Sequence, residues 1–225
     1  MQIRLSLNEV ITKSTRALKA LNFPPGLDIE NGKNIGWLEA RGLPGLNSLS
    51  QEIQVLGNKV VKPLLATKRS DDTIYFADCD QSGFFLAQSA ADFAEDGTTV
   101  HVQDCRHPLL FFAELARRTH LNSGFNIQWS EGNKINNGYC ISGNSAIELN
   151  SENLTFGSDL AINVVKELEI KNPEKMKMRW RASLENGIRF KKSEWEQICA
   201  TANLLLVPDS ELSHSSAGAE VDDSI

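Results

Sequence analysis

No stretch of the chain approaches the roughly 20 consecutive apolar residues that a membrane span requires. The opening decapeptide MQIRLSLNEV also lacks the apolar core of about 7 to 15 residues that marks a secretory signal. These absences predict a soluble, cytoplasmic protein with no membrane partner. Positive charge is in short supply, with 23 Lys and Arg against 29 Asp and Glu for a net charge of -6. An acidic field opposes phosphate backbones, so no nucleic-acid partner is expected.

Cysteine is sparse and badly spaced for metal. The four residues, at 79, 105, 140 and 199, include no C-x-x-C pair and read as reduced thiols. Four histidines, at 101, 107, 120 and 214, are too scattered to define a metal site, and His101 reads as a packed strand residue. The G-x-x-x-x-G-K-[ST] phosphate loop, a strand followed by G-x-G-x-x-G, H-E-x-x-H and G-x-S-x-G are all missing, which removes the commonest nucleotide, zinc-protease and serine-hydrolase signatures. No metal is expected, and the cofactor is left unknown.

What is present is an ordinary globular composition. With 225 residues, 41% hydrophobic and 23% charged, a core can form without disulfide or metal staples. Ser6 and Glu9 spell a capping box ahead of Leu7, Val10, Ile11, Leu18 and Leu21 at helical spacing. That helix must stop at Pro24-Pro25-Gly26. A second helix is predicted from about Asp28 to Arg41, closed by Gly42, and a third carries Leu46, Leu49, Ile53 and Leu56 up to Gly57. Gly32, Gly36 and Ala40 recur every four residues on the second helix, a stripe suited either to tight helix packing or to a ligand or partner subunit.

The middle of the chain echoes itself. Residues 73–97 and 99–123 align without gaps at an offset of 26, with identities that include Thr73 with Thr99, Asp78 with Asp104 and Cys79 with Cys105. Each unit reads as a strand, a polar turn opening on Asp-Cys, and an amphipathic helix; Pro108 suits a first helical turn. Two such units imply parallel neighbouring strands, with the two aspartates at one rim beyond the strand ends, where open α/β sheets bind ligands. The candidate catalytic residues are therefore Asp78, Asp104, Cys105 and His107, and Arg106 is a candidate for binding. An Asp-His pair could perform acid-base work, and Arg106 and His107 could depress the thiol pKa of Cys105. The alternative for the same residues is an aspartate N-cap beside a small buried cysteine.

Beyond residue 124 the signals turn to strand. FNIQWS and KINNGYCIS flank Glu131-Gly132-Asn133 as a hairpin. SDLAINVVKELEI predicts a strand through Ala161–Val165, and KMKMRWRA alternates as a strand with a basic face of Lys175, Lys177, Arg179 and Arg181. Asn186-Gly187 turns into a last helix, for which Ser193 and Glu196 spell a second capping box. Leu204–Val207 reads as a final buried segment ended by Pro208.

The two ends carry a likeness. GWLEARGLPGL, residues 36–46, and LLVPDSELSHSSAGAEVDD, residues 205–223, resemble the ends of a bacterial protein family known only as a domain of unknown function. Pro208, Ser210, Glu211, Ser213 and Ala217-Gly218-Ala219 match its tail, while His214 and Ser216 stand where arginine and glycine are expected. The resemblance implies a bacterial cytoplasmic chain of similar length and no established activity. It also adds Ser210, Glu211 and Ser213 as candidate binding residues on a polar arm. Residues 6–49 are similar to the opening of the malate/L-lactate dehydrogenase family, which reduces 2-oxo or cyclic imino acids with a nicotinamide cofactor. The histidine expected after that family's second helix is missing, because Leu43-Pro44-Gly45 occupies the region, and the activity is not carried over.

The expected fold is mixed α/β, a helical lobe (1–57) packed on a mixed sheet with two parallel strand-helix units (58–208), followed by a partly disordered arm (209–225). Two functions fit. One is an enzyme, or a non-catalytic relative, binding a small polar metabolite of the amino or hydroxy acid type at the Asp78 and Asp104 rim. The other is an interaction or assembly protein, including a homo-oligomer, that uses the small-residue stripe and the basic face.

Overall fold

A computed structural model describes residues 1–57, 68–70, 72–77, 81–118, 124–131, 133–141, 146–149, 159–165 and 173–205. The chain opens with β1 (Gln2–Leu5), α1 (Leu7–Ala20), α2 (Leu27–Glu39) and α3 (Gly45–Leu56). The capping box closes as spelled: the Glu9 amide donates to Ser6 Oγ at 3.1 Å and the Ser6 amide to Glu9 Oε2 at 3.4 Å. Gly42, with φ +71°, ends α2 by turning the chain so that its own amide reaches the Glu39 carbonyl and that of Leu43 reaches Leu38. This is the double hydrogen bond of a Schellman ending.

The small-residue stripe is used inside the lobe. A Cβ on Gly36 would run into the Ile11 side chain and one on Gly32 into Thr15, so the stripe is the track along which α1 lies against α2. Packing, not a ligand or a partner, occupies it. Gly32→Ala is therefore expected to destabilise by about 1–3 kcal/mol from overpacking, although alanine is about 1 kcal/mol the better helix former. Urea denaturation of the variant checks this, and a gain in stability would refute the close approach.

Next come β2 (Lys68–Ser70), β3 (Thr73–Phe76), β4 (Gln81–Ser82), α4 (Gly83–Glu95), β5 (Thr99–Gln103), β6 (Cys105–Arg106) and α5 (Leu109–Arg117). The 26-residue echo is a structural register. β3 and β5 pair in parallel with Thr73 opposite Thr99 and Phe76 opposite Val102, and α4 and α5 begin at 83 and 109. Only the turn between breaks step, since β4 pairs with β6 through Gln81 and Cys105. Around that turn Asp104 and His107 take left-handed backbone, φ 49° and 60°.

The sheet continues with β7 (Gly124–Glu131), β8 (Lys134–Ile141), β9 (Ala146–Leu149) and β10 (Asp159–Val165). Its order is β2-β3-β5-β10-β7-β8-β9, mixed because β3–β5 is parallel while the other pairs are antiparallel. The hairpin falls where expected, with Glu131 opposite Lys134. One face of the sheet, carrying Ile74, Phe76, Val100, Val102, Phe125, Ile127, Trp129, Leu160 and Ile162, is buried in the core with α4 and α5. On the other face His101 of β5 stacks on Tyr75 at 5.1 Å. The helices join through polar bonds as well: Asn31 Nδ2 donates to the Phe84 carbonyl at 2.7 Å, and Asn34 Nδ2 to Glu114 Oε2 at 2.9 Å.

The chain then forms α6 (Pro173–Asn186), β11 (Ile188–Lys191) and α7 (Lys192–Asn203), with β11 pairing antiparallel to β1. Three expectations are corrected here. Lys175–Ala182 is helix, not strand. Pro173 suits the first turn, Met, Lys and Arg are good helix formers, Lys177 pairs with Glu174 one turn away, and Met178 is 68% exposed despite its place on the supposed apolar face. Ser193 does not cap α7, because β11 runs directly into the helix and the Lys192 amide bonds the Met1 carbonyl instead. Leu204 and Leu205 are 75% and 40% exposed, not buried. The tail residues Ser210, Glu211 and Ser213 lie outside the described residues, as do Asp78 and Cys79.

Candidate functional site

At the end of β5 the sequence brings together Asp104, Cys105, Arg106 and His107, and the fold adds a group that the sequence did not single out. Glu52 of α3 is fully buried; His107 Nε2 lies 3.1 Å from its Oε2, and Arg106 Nε and Nη2 donate to it at 3.4 Å. Burial opposes charge on Glu52, but the hydrogen bond and charge of His107, followed by those of Arg106, hold its carboxyl below the usual range. Asp104 is exposed. The carboxylate that holds His107 thus comes from α3, and the pair is enclosed.

This enclosure bears on two of the sequence-based candidates. Cys105 has no exposed surface, and burial, then the Glu52 charge, push its thiol up, the opposite of the depression that a thiolate nucleophile needs. His107 is likewise fully buried and stands edge-on to Phe84 at 5.3 Å between ring centres. Neither can touch a ligand without local opening. Arg106, 13% exposed at its side chain, and Asp104 remain at the surface of the rim.

A cavity opens elsewhere. A cleft of about 370 Å³ runs between the α2–α3 turn, the end of α6 and β11, with Glu39, Asn47, Ser183 and Arg189 as its polar wall. Glu39 accepts from the Leu46 amide at 2.7 Å. Burial raises its carboxyl to about 7, against the opposing hydrogen bonds from the Leu46 and Gly45 amides. A carboxyl poised near neutrality in a cleft is the mark of a proton-exchanging group.

α6 packs on the end of α2 beside the cleft. Arg41 lies between Trp37, 3.9 Å from its guanidinium carbon, and Trp180, 4.6 Å away. Burial lowers the Arg41 pKa to about 10. Ser183 Oγ donates to the Ala40 carbonyl at 3.0 Å and Arg179 Nη1 to that of Arg41 at 3.4 Å. On the ribbon, Arg189 stands directly opposite Arg4. Neither has a carboxylate partner among the described residues, and like charges at such a position repel.

Sequence reasoning missed this site: Glu39 lies within GWLEARGLPGL, the stretch that carries the family likeness, but Glu39 and Arg189 are 150 positions apart and no local pattern joins them. Among the described residues no three His, Cys, Asp or Glu side chains gather as metal ligands, and no helix is long and apolar enough to cross a membrane.

The fold is similar to those of several solved dehydrogenase structures. The chain is similar to a dehydrogenase from Sinorhizobium meliloti, at 12% identity and TM-score 0.64 over 90% of this chain and 100% of that one. It is similar to malate dehydrogenase from Pyrococcus horikoshii OT3, at 10% and 0.65 over 93% and 97%. Sulfolactate dehydrogenase from Methanocaldococcus jannaschii matches at 12% and 0.61 over 89% and 97%. At these identities the likeness is one of fold. In sequence, a family model described as a protein of unknown function, DUF3726, matches residues 5–88. No curated protein matches.

Proposed function

We propose that the chain binds a small hydroxy or amino acid in the cleft between the α2–α3 turn and β11. The observation that carries this reading is the cross-strand pair Arg4–Arg189, two arginines without a carboxylate partner among the described residues, one of them in the wall of a cleft that also holds Glu39. The ligand carboxylate pairs with Arg189. Its 2-hydroxyl or 2-ammonium group meets Glu39, and Asn47 offers an amide to either end. A neighbourhood of dehydrogenases, among them ones named for malate and sulfolactate, supports this ligand class. In this chain the group near neutrality is the carboxyl of Glu39, the last residue of α2.

The N-termini of α3 and α4 offer no phosphate cradle of the kind a dinucleotide uses at a glycine-opened helix. The glycines that open α3 and α4 press on the carbonyl oxygens of Ile35 and His107, within 2.8 and 2.5 Å of where a Cβ would stand, which leaves no cradle for a phosphate. No step is derived through such a cofactor. The rim of Asp104 and Arg106 serves instead as an outer surface over an enclosed Glu52–His107 support. The alternative of an assembly protein loses the small-residue stripe, which α1 covers, and keeps the exposed basic residues of α6, which a helix distributes over more than one side.

Calorimetric titration with lactate and with alanine tests the reading. Binding is expected for at least one, and Arg189→Gln should weaken it by about tenfold or more, the loss of a charge-assisted bond. For a hydroxy acid, affinity should rise as pH falls through about 7, because neutralising Glu39 removes repulsion from the ligand carboxylate. For an amino acid it should rise as pH increases, because ionised Glu39 pairs with the ammonium. Binding of neither compound, or binding indifferent to Arg189, would sink the proposal.

A further inference from the structure

The cleft shares a wall with a second, larger cavity. That cavity, of about 640 Å³, and the cleft both include Ser183 and Gly187. Its own lining is chiefly apolar, with Leu5, Leu7, Ile11 and Leu184, and Arg4 stands at its side. Leu184 is 55% exposed, although the same turn of α6 holds Ser183 fast to Ala40. Gly187 lines both cavities. It takes φ +74°, and a Cβ there would come within 3.1 Å of the Leu5 carbonyl oxygen, so the position is both left-handed and narrow.

Chemically the two cavities differ as a head and a tail differ. One presents Arg189, Asn47 and Glu39; the other presents branched aliphatic side chains. A ligand of two or three carbons occupies only the first and leaves Leu7, Ile11 and Leu184 in water. A longer one covers them, and covering apolar surface is favourable in proportion to its area.

We propose that the ligand of the cleft is a 2-hydroxy or 2-amino acid bearing an apolar chain of several carbons. The carboxylate and 2-substituent sit at Arg189 and Glu39, and the chain passes Gly187 to lie on Leu7, Ile11 and Leu184. This rests on the reading of the cleft given above and adds its substrate class. Arg4, opposite Arg189 across the ribbon, stands beside the chain and favours the acid's negative end over a neutral amphiphile.

The test is titration of the full chain with lactate, 2-hydroxyoctanoate and 1-octanol, in the native protein and in Leu184→Asp, Leu184→Trp and Arg189→Gln. A fully buried methylene improves binding roughly fourfold. In an open groove the five extra methylenes of 2-hydroxyoctanoate should lower Kd by about tenfold or more relative to lactate. Octanol should bind more weakly than 2-hydroxyoctanoate. In both Leu184 variants the advantage of 2-hydroxyoctanoate over lactate, measured on the same variant, should shrink towards unity. Equal affinity of the native protein for the two acids, with Arg189→Gln abolishing both, overturns the long-chain inference and leaves the cleft reading intact. A chain-length advantage that survives in both Leu184 variants also overturns it. If neither acid binds at millimolar concentration, or if Arg189→Gln leaves 2-hydroxyoctanoate unaffected, both readings fall together.

Discussion

Glu52→Ala is expected to lower the free energy of unfolding by about 3–5 kcal/mol at pH 7, the cost of removing one partner from a buried ion pair. The reason is local. Glu52 has no exposed surface, His107 lies against its Oε2 with none either, and Arg106 reaches it with two nitrogens. Without the carboxylate, two basic side chains face a water-poor site with their shared acceptor gone. Glu52→Gln keeps the volume and one acceptor oxygen, so its loss should be smaller. The sign of the pH dependence follows from the lowered Glu52 pKa. A depressed carboxyl contributes stability that is present above its unfolded value of 4.5 and lost as pH falls through the folded value. The gap between the native chain and Glu52→Gln should therefore be widest near neutrality and close in acid. Urea denaturation at pH 7 and pH 4 measures both; an alanine variant within 1 kcal/mol of native at pH 7, inside the range of ordinary surface substitutions, would refute a buried charge node.

Glu39 should behave in the opposite sense. Its folded pKa is about 7 against 4.5 unfolded, so the native state binds a proton that the unfolded chain has released. That contribution is complete below pH 4.5 and is lost as pH rises through 7. A displacement of this size corresponds to about 3 kcal/mol, taking about 1.4 kcal/mol per unit. In Glu39→Gln the amide oxygen can still accept from the Leu46 amide and carries no charge to desolvate. Its stability is expected to stay level between pH 5 and pH 8, where the native chain declines, and to exceed the native value at pH 8. Denaturation across that range gives the answer, and parallel slopes for native and variant would remove Glu39 as the titrating group. The same group governs the ligand pH dependence proposed for the cleft, so the two measurements check one cause.

Local pattern was a reliable guide where a single element decides its own geometry. The Ser6–Glu9 capping box, the proline break, the Gly42 ending and the hairpin at 131–133 depend on residues a few positions apart, and each formed as spelled. The echo of residues 73–97 in 99–123 went further. Two matching strand-helix units place their strands side by side, and the offset of 26 became the register of β3 on β5. Pattern failed where two signals competed over one segment. In KMKMRWRA the alternation of charge has the period of a strand, but the residues favour helix and the segment has little surface to bury, so propensity prevailed. At Ser193 the capping box was overridden because a strand entered the helix without a turn.

The sequence by itself determined the class of fold, the elements of the helical lobe and the run Asp104–His107 at the end of a parallel strand. Its composition also set the acidic balance. Tertiary structure alone decided what those residues do. It enclosed Cys105 and His107, supplied Glu52 of α3 as the partner of His107, and placed Glu39 and Arg189 in the wall of one cleft. The physical reason is that burial, and the shifts in charge that follow from it, belong to the space between elements. Residues 52 and 107 come into contact, and 39 and 189 come to line one cleft, only when helices and strands distant in the chain pack against one another, and no local periodicity records that arrangement.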